Sequence, residues 1–220
     1  MIAAHVNAVL YDVTGEGPTI SMDLQPAHIP LFAFGAIDQG TLFSKTAFVL
    51  ANGLGALAGP PALLHQSGGK RAAVVEIDVP EAIGPVQQLG GAFYKDAGAT
   101  MNAVPIPPGT ADMTPQIQAA LDKKPDQISI IGNDTFCISA IQALTTLGYT
   151  KQIVISTGCI SNAFKNALGS KLKGVVELAA SSTDPATPEG ALFNAVMAAY
   201  APGTSPSNTN AQGGYAVVLG

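Results

Sequence analysis

The sequence predicts an α/β fold of two doubly wound parallel-sheet lobes, the first of them incomplete. Three observations carry this. Between Lys70 and Ser161 the apolar runs Ala72–Ile77, Met101–Ile106, Gln127–Ile131 and Gln152–Ser156 alternate with helical patterns at Gly84–Ala97, Thr114–Leu121 and Thr135–Leu147. Short β-branched runs between helices are the signature of a parallel sheet covered on both faces. Each run also ends in a polar or Gly-rich turn, and such sheets bind ligands beyond the carboxyl ends of their strands. The turns Asp78–Glu81, Asn133–Phe136 and Thr157–Ser161 would face that crevice.

The elements follow in order. Val6–Tyr11 reads as a buried strand, with Asp12–Pro18 as its turn. Ile20–Ala27 reads as a short helix, Leu31–Phe34 as a second strand and Thr46–Leu50 as a third. Asn52–Gln66 is helical in pattern but contains Pro60 and Pro61. A mid-helix proline loses a hydrogen bond and clashes with the preceding turn, so a kink or a helix start at Pro60 is expected. Beyond Ser161 come a helix at Asn162–Leu168 and a strand at Gly174–Ala180. Ser181–Pro188 reads as a linker, and Glu189–Tyr200 as a helix with Pro188 as its first residue. Ala201–Gln212 reads as a loop, and Tyr215–Gly220 as the start of a further element. The expected division is a partial first lobe over 1–46, a crossing strand at 47–51, a five-stranded second lobe over 52–180, and a crossing and return over 181–220. Two parallel strands are not a stable sheet. Upstream residues, a partner or the tail would have to complete the first lobe.

Composition narrows the function classes. Of 220 residues, 47% are hydrophobic and 11% charged, against roughly 25% charged in ordinary domains, so the chain reads as compact. The net charge is −5 and Arg71 is the only arginine. No clustered Lys/Arg surface exists for nucleic acid. Apolar stretches break well before the roughly 18 residues of a membrane span. Met1–Val13 lacks the basic start and cleavage site of a signal peptide. Gly53, Gly55 and Gly59 lack the spacing and the preceding strand of a dinucleotide fingerprint. A cysteine nucleophile would need a nearby histidine, and none follows His65. No enzyme, metal or cofactor is therefore expected.

Several short strings, in order, carry a resemblance: VNAVLYDVTG at Val6–Gly15, IPLFAF at Ile29–Phe34, GGKRAAVV at Gly69–Val75 and FYKDAGA at Phe93–Ala99. PPGTADM at Pro107–Met113, PDQISIIG at Pro125–Gly132, LGYTKQIVI at Leu147–Ile155 and GGYAVV at Gly213–Val218 continue it. With them the chain resembles the type I periplasmic solute-binding proteins, specifically the leucine/isoleucine/valine-binding branch of ABC-transporter receptors. The resemblance implies two lobes joined by three crossing segments, a small solute held between them, hinge closure and delivery to a transporter permease. It implies a periplasmic or cell-surface location. On that map the first strand–helix–strand–helix of the first lobe is missing, and the open sheet edges would invite a homo-oligomer. The alternative function is the ligand-sensing core of a receptor or transcription regulator.

The resemblance places ligand contacts in the first lobe at Asp12, Thr14, Gly15, Phe34 and Gly35. In the second lobe the turns that face the crevice offer Asp78, Glu81, Asn133, Asp134, Thr135, Phe136, Thr157 and Gly158 as contacts. Only Thr14 supplies a first-lobe hydroxyl, and Gly35 and Ala36 stand where the branch often has Ser or Thr. Arg71 opens a strand at the far end from the crevice, so a bidentate clamp on a carboxylate is not expected. Phe34, Phe136 and Ile160 would form an apolar wall. Asp134 either contacts ligand or caps the helix that follows. Cys137 and Cys159 follow neighbouring strands of such a sheet; they form either a disulfide suited to an oxidising compartment or two small buried apolar groups.

Overall fold

A computed structural model describes residues 2–11, 16–36, 38–51, 53–178, 184–204 and 209–219. The chain divides into two compact units, one of residues 1–55 and 180–220, the other of 56–179.

The first unit contains β1 (Val9–Tyr11), α1 (Gly17–Leu24), β2 (Leu31–Ala33), α2 (Gln39–Leu42) and β3 (Ala47–Val49), then α9 (Pro188–Tyr200) and α10 (Thr209–Leu219). Its strands form a parallel sheet in the order β1-β2-β3. The sheet has two unlike faces. Leu31 and Ala33 are fully buried, whereas the cross-strand row Leu10, Phe32 and Phe48 points the other way. Leu10 and Phe48 are half exposed, and the Phe32 and Phe48 rings stack 5.1 Å apart. In the segment 47–51, Ala47–Val49 pairs with Leu31–Ala33 as the third strand of this sheet, and the unit boundary falls inside the helix that follows. The expected loop Ala201–Gln212 is also corrected, because α10 begins at Thr209. Asn, Gln and Gly are weak helix formers, but packing overrides them: Tyr215 meets the buried Phe193 at 5.3 Å between ring centroids.

The second unit follows from α3 (Gly53–Gln66), through β4 (Arg71–Ile77), α4 (Pro80–Pro85), a π-helical turn Val86–Gly90, α5 (Gly91–Asp96) and β5 (Thr100–Ile106). It continues with α6 (Thr114–Leu121), β6 (Gln127–Ile131), α7 (Asp134–Thr146), β7 (Gln152–Ser156), α8 (Asn162–Leu168) and β8 (Val175–Leu178). All five strands are parallel, in the order β5-β4-β6-β7-β8. This is the expected doubly wound order. Central strands are apolar on both faces because helices cover both. Ala73 and Val75 pack with Ile117, Ile141, Leu144 and Phe164; Ala72 and Val74 pack with Leu57, Leu64, Val86 and Tyr94. Pro105 sits in β5, an edge strand, where a missing N–H is tolerated.

Two helices differ from expectation. α3 does not start at Pro60 but begins at Gly53 and continues through Pro60 and Pro61. Packing holds it: Pro60, Pro61, Leu57 and Leu64 are buried, and the Gln127 side chain donates to Pro60 O at 2.8 Å. Gly59 has no Cβ where one would meet Leu178 Cδ1 at 2.7 Å, so the helix sits close against the end of β8. The expected Gly84–Ala97 helix is longer, starts at Pro80, and contains the π turn. That turn lets Val86 and Tyr94 both face the sheet, where the Tyr94 hydroxyl donates to Gln127 Oε1 and lies 3.0 Å from Ser129 Oγ. Burial pushes the Tyr94 hydroxyl up to about 12.

Candidate functional site

The carboxyl ends of each sheet are the candidate ligand edges, and each unit builds its own. In the first unit Phe34 N donates to Tyr11 O at 3.1 Å and Ala51 N to Phe34 O at 2.8 Å, so the turn after β2 is fixed to both neighbouring strands. Phe34 and Gly35 are half-buried, and a Cβ on Gly35 would meet nothing within 4 Å. Beside this turn lies a groove of about 260 Å³ lined by Ala36, Leu42, Val49, Leu50, Ala51 and Gly53. Its wall is apolar. Asp38 holds the following turn by accepting from Thr41 N at 2.7 Å. Thr41 is buried, 2.9 Å from Ser21 Oγ and 3.3 Å from Tyr11 Oη. Asp12, Thr14 and Gly15 lie outside the described residues.

In the second unit the turns after β6 and β7 are joined into one rim. Cys137 and Cys159, both fully buried, form a disulfide. Ser161 Oγ donates to Asp134 Oδ2 at 2.8 Å and accepts from Phe164 N at 3.0 Å. Gly158 has no side chain where a Cβ would sit 2.8 Å from Gly132 O. The disulfide and the Ser161–Asp134 hydrogen bond thus tie the two turns, and Gly158 lets their backbones approach closely. Thr157 opens a 3-10 turn that ends at Cys159.

The cap of α7 is Asn133, not Asp134. Asn133 Oδ1 accepts from Phe136 N at 3.0 Å and from Thr135 Oγ1 at 3.1 Å. Asn133 has the extended backbone a cap needs, while Asp134 is already the first helical residue. Asp134 instead accepts from Thr135 N at 2.8 Å and from Ser161. Phe136 is also corrected. It is a core residue, 4% exposed, with its ring against Gly132, and it forms no wall at the edge. Ile160 likewise packs against the core.

Asp78 and Glu81 lie where the sequence puts them, exposed at the end of β4 and in the first turn of α4. Sequence reasoning missed their neighbour Glu76. It is fully buried, and neither carboxylate oxygen has a hydrogen-bond partner among the described residues. Burial, then the charge of Asp78, pushes its pKa up to about 7. The available signal was a lone charge inside an otherwise apolar central strand. Arg71 lies at the opposite end. Its guanidinium donates to Lys124 O at 2.8 Å and approaches Asp126 at 3.6 Å. Asp126 also accepts from Lys70 N, Arg71 N and Lys151 Nζ, which hold its carboxyl down at about 2. Among the described residues no group of three or more His, Cys, Asp or Glu side chains could hold a metal ion, and no helix is long and apolar enough to cross a membrane.

Known structures share this architecture. A leucine binding protein from Thermotoga maritima superposes with a TM-score of 0.76 at 19% identity, over 98% of this chain and 63% of its own. A branched-chain amino acid ABC transporter protein from Thermus thermophilus with bound valine gives 0.80 at 14% identity, over 97% and 58%. A solute binding protein of an ABC transporter from Rhodopseudomonas palustris HaA2 in complex with p-hydroxybenzoic acid gives 0.79 at 15% identity, over 99% and 61%. The chain spans less than two thirds of the length of each. No curated protein matches in sequence. At these identities the likeness establishes the fold, which is that of a type I periplasmic binding protein. The family itself follows from the periplasmic binding protein model, which matches residues 4–219: the chain belongs to the periplasmic binding protein family.

Proposed function

We propose that this chain is the core of a non-catalytic receptor that binds a small polar solute between its lobes and delivers it to an ABC-transporter permease. The observation that carries the reading is the family match over nearly the whole chain, on a fold whose two sheets each present a built carboxyl edge. The first-unit groove suits an apolar body, and the cross-tied rim of the second unit suits polar recognition. The first-lobe contacts are Asp12, Thr14, Gly15, Phe34 and Gly35. Those of the second lobe are Asp78, Glu81, Thr135, Thr157, Gly158 and the amide nitrogen of Asn133, whose oxygen is occupied by the helix cap. Solute binding closes the lobes by hinge motion. The buried disulfide supports a periplasmic or cell-surface setting, since such bonds persist in oxidising compartments.

Thermal unfolding in the presence of single solutes tests this. A panel of branched-chain amino acids, hydroxybenzoates, amides and amines should contain one that raises Tm by several degrees. Ligand at a hundred times Kd stabilises by about 2.7 kcal/mol. A panel in which nothing shifts Tm counts against the receptor function.

A further inference from the structure

The second sheet has a charged edge that the sequence conceals. Its basic residues never run longer than two, at Lys70–Arg71 and Lys123–Lys124, so no basic segment shows in the chain. The sheet gathers them, because all five strands are parallel and begin at one edge. Lys95 stands before β5, Lys70 and Arg71 at the start of β4, and Lys123 and Lys124 before β6. Lys151 precedes β7, and Lys171 and Lys173 precede β8. Every strand thus has a cation at its amino end. Neighbouring strands lie about 4.8 Å apart, so the row spans roughly 20 Å.

Acidic residues do not balance it. Asp96, Asp122 and Asp126 share this edge with the eight basic residues. Asp126 is the hub of its centre. It accepts from Lys70 N at 3.0 Å, Arg71 N at 3.1 Å and Lys151 Nζ at 2.9 Å. It also lies 3.6 Å from the Arg71 guanidinium, which donates to Lys124 O at 2.8 Å. One carboxylate therefore draws the basic turns together and neutralises a single charge. Among the described residues no hydrogen bond or ion pair holds the ammonium groups of Lys70, Lys95, Lys123, Lys124, Lys171 and Lys173, and all six residues are exposed. Like charges held this close repel one another, and an anionic surface laid against the edge relieves that repulsion.

The chemistry of the edge selects the surface. Seven of the eight basic residues are lysines. Lysine is a hydrated point charge without the planar fork by which arginine grips paired phosphate oxygens or base edges. No large apolar side chain is exposed among these turns; in the described residues the exposed ones all belong to the first unit. Protein partners are held by aromatic and apolar anchors, and single-stranded nucleic acid by aromatic stacking. A flat row of charge without such anchors matches a bilayer bearing anionic headgroups, which attracts lysines without shaped contacts. We propose that the amino edge of the second sheet is an electrostatic docking surface for an anionic phospholipid bilayer. This goes beyond the receptor function, and its test needs no solute. The whole chain carries a net charge of −5, so net charge alone predicts repulsion from such a membrane. Attraction has to come from this edge, within a Debye length of about 10 Å at 0.1 M salt.

The test is co-sedimentation of the full chain, disulfide formed, with vesicles of phosphatidylcholine alone or with about a third phosphatidylglycerol. The chain should bind the mixed vesicles and not the neutral ones. Salt at about 1 M, where the Debye length is roughly 3 Å, should release it. Lys123→Gln, Lys124→Gln, Lys171→Gln and Lys173→Gln together should weaken binding at least tenfold at unchanged Tm, since these side chains are exposed and unpaired. Lys45→Gln with Lys165→Gln, both away from this edge, should leave binding within twofold. No binding to the mixed vesicles at low salt overturns the proposal. So does equal binding to neutral vesicles, which would point to the exposed apolar groups of the first unit, or binding that survives the fourfold substitution. Binding to polyglutamate or duplex DNA as tight as to the mixed vesicles also overturns it, because the edge would then read negative charge on any carrier.

Discussion

At the scale of single residues, Glu76 is the group whose chemistry depends most on the fold. An unfolded glutamate titrates near its ordinary value, whereas this one is raised from 4.5 to about 7 by burial and by Asp78. The folded state therefore binds the proton more tightly than the unfolded state. Stability from this group is complete below pH 4.5 and falls as pH rises toward 7, beyond which the loss is constant. Each pKa unit is worth 1.36 kcal/mol, so the full swing from 4.5 to about 7 is on the order of 3 kcal/mol. Glu76→Gln keeps the shape and cannot ionise. Its Tm should hold steady from pH 5 to pH 8 relative to wild type, which should lose several degrees over the same interval. Parallel pH curves for the two proteins would show that Glu76 titrates normally. The sequence did not single this residue out because one charge between Val75 and Ile77 reads as ordinary alternation. Only the cover on both faces of β4 makes it buried. Asn133 and Asp134 were confused for a related reason. Both residue types cap helices, and their sequence does not say which keeps extended backbone; the φ and ψ of Asn133 do.

At the scale of elements, the β6 and β7 turns show how the rim is held. α7 starts on the Asn133 side chain and α8 on Ser161, and Ser161 also reaches Asp134. Losing a cap of this kind costs about 1 kcal/mol. Asn133→Ala should lose about that in denaturant unfolding, and Ser161→Ala somewhat more because it gives up two hydrogen bonds. Equal stability to wild type in either variant would deny the capping role. The disulfide closes a sequence separation of 22 residues. Cross-links over loops of that order contribute roughly 3 kcal/mol, chiefly by restricting the unfolded chain. Cys137→Ala with Cys159→Ala should lower Tm markedly, and a reductant should lower wild type toward the variant but leave the variant itself unmoved. The elements most legible in sequence were those whose pattern and packing agree. α6 and α8 keep their expected bounds, as do β6 and β7. The pattern Gly84–Ala97 misses the first turn of α4 at Pro80 and the π turn, where the buried Val86 and Tyr94 pack on the sheet.

For the whole molecule, the two units differ in how completely each satisfies itself. The second has five strands with helices on both faces, a buried polar network through Gln127, and a disulfide. It is one continuous segment, 56–179. The first is assembled from two separate segments around three short strands, with Leu10, Phe32 and Phe48 in a row on one face and Leu10 and Phe48 half exposed. Parallel sheets are stable when both faces are covered, so the first unit holds the smaller share of burial. Its stability leans on residues such as Phe193, 2% exposed and in ring contact with Tyr215. Calorimetry of the full chain should therefore show two transitions rather than one. Phe193→Ala should lower only the earlier, and Ile141→Ala, in the core of the second unit, only the later. Truncating a buried large apolar side chain costs about 2–5 kcal/mol, enough to separate the two cleanly. The fragment 56–179 should reproduce the later transition by itself, with its disulfide formed. A single transition moved equally by both substitutions, or a fragment without cooperative unfolding, would mean that the second unit depends on the first.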